Sequence, residues 1–152
     1  MDGTRNQVQG PPRWHGGVAH TADVGVRATA PDPRGLLEEA AAALAELSAD
    51  VSHAKRLRSE AIEVRADDLA ALTFAWLNEL VGLADAGGEA LVEARVEHLE
   101  STPDGWLARG TAGFAVYDAD VRPRLQVKAA TFHRLKVTRE GDGWALEAYL
   151  DV

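Results

Sequence analysis

From residue 22 to 30 the chain alternates, with Ala22, Val24, Val26, Ala28 and Ala30 on one side and Asp23, Gly25, Arg27 and Thr29 on the other. A period of two predicts a strand. Pro31-Asp-Pro33 then predicts a helix start, with Asp32 as cap and Pro33 at the first helical position. Leu36, Leu37, Ala40, Ala41, Leu44 and Leu47 follow at three-and-four spacing and form one apolar face, while Glu38, Glu39 and Glu46 fall off it. Residues 57–65 read as a weaker strand in which Ala61 and Ile62 break the alternation. Asp67 or Asp68 caps a second helix that runs through Ala84 and stops at Ala86-Gly-Gly88. Its apolar residues cover more than one stripe, which predicts deep burial. Residues 90–100, 106–117, 125–139 and 144–152 read as four strands, joined in part by hairpin turns at Thr102-Pro-Asp-Gly105 and Glu140-Gly-Asp-Gly143. The order β-α-β-α-β-β-β-β predicts an α+β domain: two helices packed on a largely antiparallel sheet that ends in a meander. Residues 1–17 are polar and rich in Gly and Pro and read as a disordered leader, leaving 18–152 as a single domain.

Composition narrows the function classes. There is no cysteine, which removes disulfides, thiol nucleophiles and Cys-based zinc sites together. The absence is compatible with the cytoplasm. The leader lacks the apolar stretch of a secretory signal, and no run of about 18 apolar residues stands out as a membrane span. The formal charge of -8 argues against a protein that coats nucleic acid through bulk electrostatics. That charge is uneven: between Val121 and Arg139 lie Arg122, Arg124, Lys128, Arg134, Lys136 and Arg139 with no acid among them. Such a stretch is either a solvated strand face or a docking strip for an acidic partner or a phosphate.

The chain ends on Leu150-Asp151-Val152, so the Asp151 side chain and the α-carboxylate of Val152 stand on adjacent residues. Two neighbouring anions repel unless a cation or a set of donors holds them. Asp23, an acid within a strand pattern, is placed oddly near the other end. If the first and last predicted strands are neighbours, three carboxylates converge. A set of oxygens without His or Cys suits calcium, magnesium or manganese, and calcium tolerates irregular oxygen sets best.

The five histidines, His15, His20, His53, His98 and His133, fall at no recognised metal-ligand spacing. Asn78 and Glu79 sit in the most apolar helix; the ordinary expectation is that Asn78 bonds to a neighbouring segment and Glu79 faces water. P-loop, dinucleotide-binding and nucleophile-elbow motifs are missing, and the aromatic residues are too sparse for an RNA-stacking sheet.

Three separated segments and the chain ending combine into a recognisable pattern. His20-Thr-Ala-Asp-Val-Gly25, Trp76-Leu-Asn-Glu-Leu80, Val127-Lys-Ala-Ala-Thr-Phe-His133 and Leu150-Asp-Val152 resemble the archease family over about residues 19–152. The resemblance implies a small α+β protein that acts on the tRNA-splicing RNA ligase which joins ends through a guanylated histidine. It implies a non-catalytic activator that promotes guanylylation and repeated turnover of that ligase, and touches nucleic acid only through it. Carried over residue by residue, it implies a Ca2+ site at Asp23, Asp151 and the Val152 carboxylate, with Mg2+ or Mn2+ as the other hard cations. His20, Lys128 and His133 become candidates for supporting the site or contacting the ligase. Two positions depart from the family pattern: Ala19 stands where an acid often precedes the motif histidine, and Phe132 stands where a tyrosine is usual. The competing expectations are a metal-dependent phosphohydrolase that activates water on the carboxylate cluster and a protein chaperone or scaffold without metal chemistry.

Overall fold

The computed structural model describes residues 11–19 and 24–152. Among the described residues nine strands and two helices follow one another: β1 Trp14–Ala19, β2 Val24–Ala30, α1 Pro33–Ser48, β3 Ala49–Asp50, β4 Arg58–Ala66, α2 Leu69–Gly87, β5 Ala90–Thr102, β6 Gly105–Ala115, β7 Arg122–Pro123, β8 Ala129–Glu140 and β9 Gly143–Asp151. The helices begin and end where local chemistry dictates. Asp32 accepts from the Gly35 N–H at 2.7 Å and Asp68 from the Ala71 N–H at 2.8 Å, each satisfying an orphan donor of the first turn. Gly88, at φ 63°, closes α2 in the left-handed conformation.

The α+β class stands, but the four final strands do not form one meander. They divide between two sheets, one ordered β1-β2-β9-β8 and one ordered β4-β6-β5, and the two-residue strands β3 and β7 make a separate ladder. All the pairings are antiparallel. Each helix touches both sheets: α1 lies against β2 and β5, and α2 against β8 and β4. The main hydrophobic core runs from Val26 and Leu146 through Leu37, Leu77 and Trp76 to Ile62 and Phe114, with a small second cluster of Ala49, Ala90, Ala115 and Val121. Splitting the strands lets both helices bury apolar residues on more than one side, which a single sheet would not allow. Helix α2 has the length and the mean hydropathy, 1.2, of a membrane-crossing segment. Its Leu72, Trp76, Leu77 and Leu80 are nevertheless fully buried within the protein, as in a core helix.

Two positions show how closely the parts approach. The Trp76 indole donates to the Leu37 carbonyl at 2.9 Å, satisfying the one polar atom of the largest fully buried side chain. Gly110 of β6 pairs with Val96 beside an irregularity of β5, and a Cβ there would stand 1.9 Å from the Arg95 carbonyl oxygen.

The leader expected through residue 17 overlaps the first strand. Trp14 to Gly17 belong to β1, an edge strand paired with β2 from Trp14–Thr29 to Ala19–Val24. The strand is secured from α1: Arg13 reaches Glu39 at 2.8 Å and Glu38 at 3.2 Å, and the His15 ring lies between Glu39 at 2.6 Å and Glu46 at 2.7 Å. The glutamates that fall off the apolar stripe of α1 therefore bind the first strand.

Candidate functional site

The central question is whether the two ends of the predicted domain meet. Strand β2 pairs with β9 from Ala30–Trp144 to Val24–Leu150. Val24 follows Asp23 in sequence and Leu150 precedes Asp151. Strand alternation sorts the side chains of β9: Leu146, Ala148 and Leu150 are buried in the core, while Glu147 and Asp151 share the opposite face with Tyr149. On that face Arg27 of β2 lies directly across from Glu147 and Gly25 across from Tyr149.

A connected polar row covers this face. The Arg27 guanidinium donates to Glu147 at 2.9 Å, and the Tyr149 hydroxyl donates to the other oxygen of the same carboxylate. The bond from Tyr149, followed by that from Arg27, holds the Glu147 carboxyl below its ordinary range despite partial desolvation. The same bond raises the Tyr149 hydroxyl, so the phenol stays protonated. Arg134 lays its guanidinium over the Tyr149 ring at 4.4 Å. Gly25 makes room for that ring: a Cβ would stand 2.9 Å from the Ala148 carbonyl oxygen and 3.1 Å from the Tyr149 ring edge. Its place in the His20–Gly25 segment thus has a steric reason that reading the motif alone does not supply.

Beyond Tyr149 the strand reaches Asp151, which is exposed, and Val152. The backbone of Lys128 is tied to this end, its N–H donating to the Asp151 carbonyl at 2.8 Å. The Lys128 side chain is exposed and makes no ion pair among the described residues. It lies just before β8, not inside a strand as the alternation suggested. His133 is exposed on an irregular stretch of β8, where its carbonyl accepts from the Thr131 hydroxyl at 3.3 Å. His20 and Asp23 lie outside the described residues. Among the described residues no three of His, Asp and Glu are grouped to hold a metal. The structure thus gathers Asp151, Val152 and Lys128 at one end of the β2–β9 pair.

Asn78 completes the surroundings of this end. Its Oδ1 accepts from the Ala130 N–H at 2.8 Å, and its Nδ2 donates to the Ala130 carbonyl at 3.2 Å. Glu79 faces water, as expected. The start of β8, two residues after Lys128, is thereby anchored to the core helix. Tyr149 is the part that sequence reasoning passed over, and Arg134 was read only as one member of a basic stretch. Their pairing requires the β8–β9 register, which is broken at this point and is not readable from alternation.

The family model described as Archease protein family (MTH1598/TM1083) matches residues 17–152. The Protein archease of Methanopyrus kandleri is 35% identical over 136 residues, covering 89% of this chain and 96% of that protein. The Protein archease of Pyrobaculum neutrophilum is 34% identical over 140 residues, covering 88% and 91%. The solution structure of Methanobacterium thermoautotrophicum protein 1598 superposes with a TM-score of 0.77 at 27% identity, covering 91% of this chain and 98% of that one. The crystal structure of an archease described as a possible chaperone, from Thermotoga maritima, shares the fold with a TM-score of 0.60 at 20% identity, covering 89% and 94%. A family-model match over residues 17–152, together with a relative 35% identical over 89% of the chain and a shared fold, establishes that the chain belongs to the archease family.

Proposed function

We propose that this chain is a non-catalytic, cytoplasmic accessory protein that binds a divalent cation and activates an RNA ligase, promoting its guanylylation and repeated turnover in tRNA splicing or RNA repair. The observation that carries the reading is the pairing of Val24 with Leu150. Asp23 adjoins Val24 in sequence, and Asp151 and Val152 follow Leu150. Oxygen donors alone, without thiolate or imidazole, suit Ca2+ and leave Mg2+ or Mn2+ as alternatives. When bound, the cation would neutralise the grouped carboxylates and offer coordination positions to oxygen atoms of the ligase–nucleotide assembly.

The residues of the chain supply the rest. The β2–β9 pairing and the Lys128 N–H hold the Asp151 backbone in place. Asn78 fixes Ala130, and with it the approach of Lys128. The Lys128 ammonium, exposed at this end, is placed to meet an anionic group of the partner, and His20 and His133 are candidates for the same surface.

The test is single-turnover guanylylation of the cognate ligase with and without this protein, alongside calorimetric titration with calcium. Asp151→Asn and deletion of Val152 are expected to abolish stimulation and weaken calcium binding together. Stimulation equal to that of the parent chain by either variant would sink the metal-site mechanism.

A further inference from the structure

The region of β8 beyond the candidate site is built as a protrusion. Thr131 pairs with Tyr149 and Lys136 with Glu147, so the four residues Phe132 to Leu135 stand against the single residue Ala148. This is a larger interruption than an ordinary one-residue bulge. It is ordered by specific contacts. Arg134 adopts φ 61°, uncommon for a residue with a side chain, and its guanidinium rests on the Tyr149 ring. Thr131 donates to the His133 carbonyl. The Phe132 ring meets Phe74 of α2 edge-on, with centroids 5.3 Å apart. Despite that contact, Phe132 remains 50% exposed. The protein thus holds an aromatic ring at the surface on a strained, well-fastened stretch of backbone. A single exposed ring is ordinary on a protein surface, but one fixed in place by these contacts within a basic stretch is positioned for a partner to receive.

Along β8 itself the charge is of one sign; the acids on the neighbouring strand are Glu147, held by Arg27 and Tyr149, and Asp151 at its end. Lys128, His133, Arg134, Lys136 and Arg139 are all exposed, and β8 contains no acid before Glu140. Among the described residues Lys128 and Lys136 form no ion pair. The chain as a whole carries -8, and acids dominate elsewhere, at Glu38, Glu39 and Glu46 on α1 and at Glu93, Glu97 and Glu100 on β5. Since surface charges are felt over only about 8 Å at physiological salt, the local sign decides what can approach β8. We infer that the β8 protrusion is a docking surface for an acidic protein face carrying an apolar socket that receives Phe132. Resting on the functional reading above, that face belongs to the RNA ligase. A protein face fits better than an extended polyanion for two reasons. Arg134 is already committed to Tyr149, and the Phe132 ring, braced edge-on by Phe74, is a knob more than a stacking platform. The acid-rich remainder of the surface also opposes a long nucleic acid lying across it.

The experiment is titration of the RNA-free cognate ligase with the full-length chain at low and at high KCl. The variants are Phe132→Ser, the double variant Lys136→Gln/Arg139→Gln, and Asp151→Asn, with melting curves confirming that each folds. Truncating a central apolar anchor is expected to weaken binding about tenfold. Neutralising the two cations is expected to weaken it by a similar factor at low salt and to flatten its salt dependence. Asp151→Asn is expected to lose stimulation, and any loss of binding it causes should leave the salt dependence set by β8 unchanged. Binding by the β8 variants equal to that of the parent overturns the proposal, as does a loss that emerges only when RNA is added, which would make the surface an RNA contact. If the parent neither binds nor stimulates the ligase, the functional reading fails and this proposal falls with it. If the parent binds through β8 but Asp151→Asn stimulates normally, docking stands and the metal mechanism alone is lost.

Discussion

The Asn78 carboxamide pairs with the backbone of Ala130 as a neighbouring strand would, accepting its N–H at 2.8 Å and donating to its carbonyl at 3.2 Å. β8 is the outermost strand of its sheet, so its outer backbone groups need a partner from elsewhere in the fold. Ala130 is 4% exposed, which leaves water little access to supply one. Asn78→Ala removes both hydrogen bonds and strands both Ala130 groups. The expected cost is about 2–4 kcal/mol, seen as a fall in melting temperature of roughly 5–15 °C for a chain of this size. Asn78→Asp keeps the acceptor and loses the donor, so its loss should be intermediate. Thermal melts of the three proteins check the order.

A second prediction contrasts two glycines. Gly110→Ala places a Cβ within 1.9 Å of the Arg95 carbonyl oxygen, a collision with backbone that no rotamer relieves. It is expected to cost about 3 kcal/mol or more, enough to threaten folding. Gly82 lies exposed within α2, and a Cβ there meets nothing within 4 Å. Gly82→Ala should stabilise by about 0.5–1 kcal/mol through helix propensity. Denaturant midpoints of the two variants are expected to move in opposite directions from the parent.

The contrast between these glycines shows what was readable in the sequence. Both helices were legible, because their apolar spacing and the caps Asp32 and Asp68 are local signals, and so were the β5–β6 and β8–β9 hairpins with their Gly-containing turns. The weak strand at residues 57–65 also holds: Ile62 and Val64 are buried while Ala61 simply faces outward. What escaped were features made by distant partners. Trp14-His-Gly-Gly-Val-Ala19 has no alternation, and it becomes a strand because β2 offers an edge and Glu39 and Glu46 hold His15. Residues 125–139 read as one strand, yet β8 starts only at Ala129 and is interrupted after Thr131, where Arg134 packs on Tyr149. At the candidate site the nearness of Lys128 to Asp151 came from strand pairing, whereas Asp23 and His20 were legible only as parts of a motif.

A third prediction concerns pH. Burial pulls the His15 pKa down, but hydrogen bonds to Glu39 and Glu46 and the charges of those carboxylates push it up more strongly, and the net direction is upward. Arg13, which also pairs with Glu39 and Glu38, is the other charge facing this cluster. A histidine whose folded pKa lies above its unfolded value stabilises the fold fully below the unfolded value, near 6.5. That contribution is lost as pH rises through the raised folded value. The parent chain should therefore lose stability between about pH 6.5 and the alkaline side of that folded value. His15→Gln should show a flatter profile over the same interval. Urea midpoints measured across this window, with amide exchange of β1 as the local reporter, decide it; parallel profiles for the two proteins would remove His15 from the account.

The last prediction addresses the end of β9 without using the ligase. A ligand that binds only the folded state stabilises it by about 2.7 kcal/mol at a concentration one hundred times its dissociation constant. For a chain of this size that corresponds to a rise of roughly 5–10 °C in melting temperature. If Asp151 and the Val152 carboxylate take part, calcium should raise the melting temperature of the parent by that amount, and chelator should reverse it. Asp151→Asn should shift little. A variant extended past Val152 by a short neutral peptide keeps every side chain and converts the terminal carboxylate into an amide carbonyl. It should lose part of the calcium response while keeping the parent melting temperature in chelator, because Val152 is half exposed and contributes little packing. Equal calcium shifts in all three proteins would move the cation, if one binds, to another part of the surface. A shift absent from all three would show that the β2–β9 end holds none.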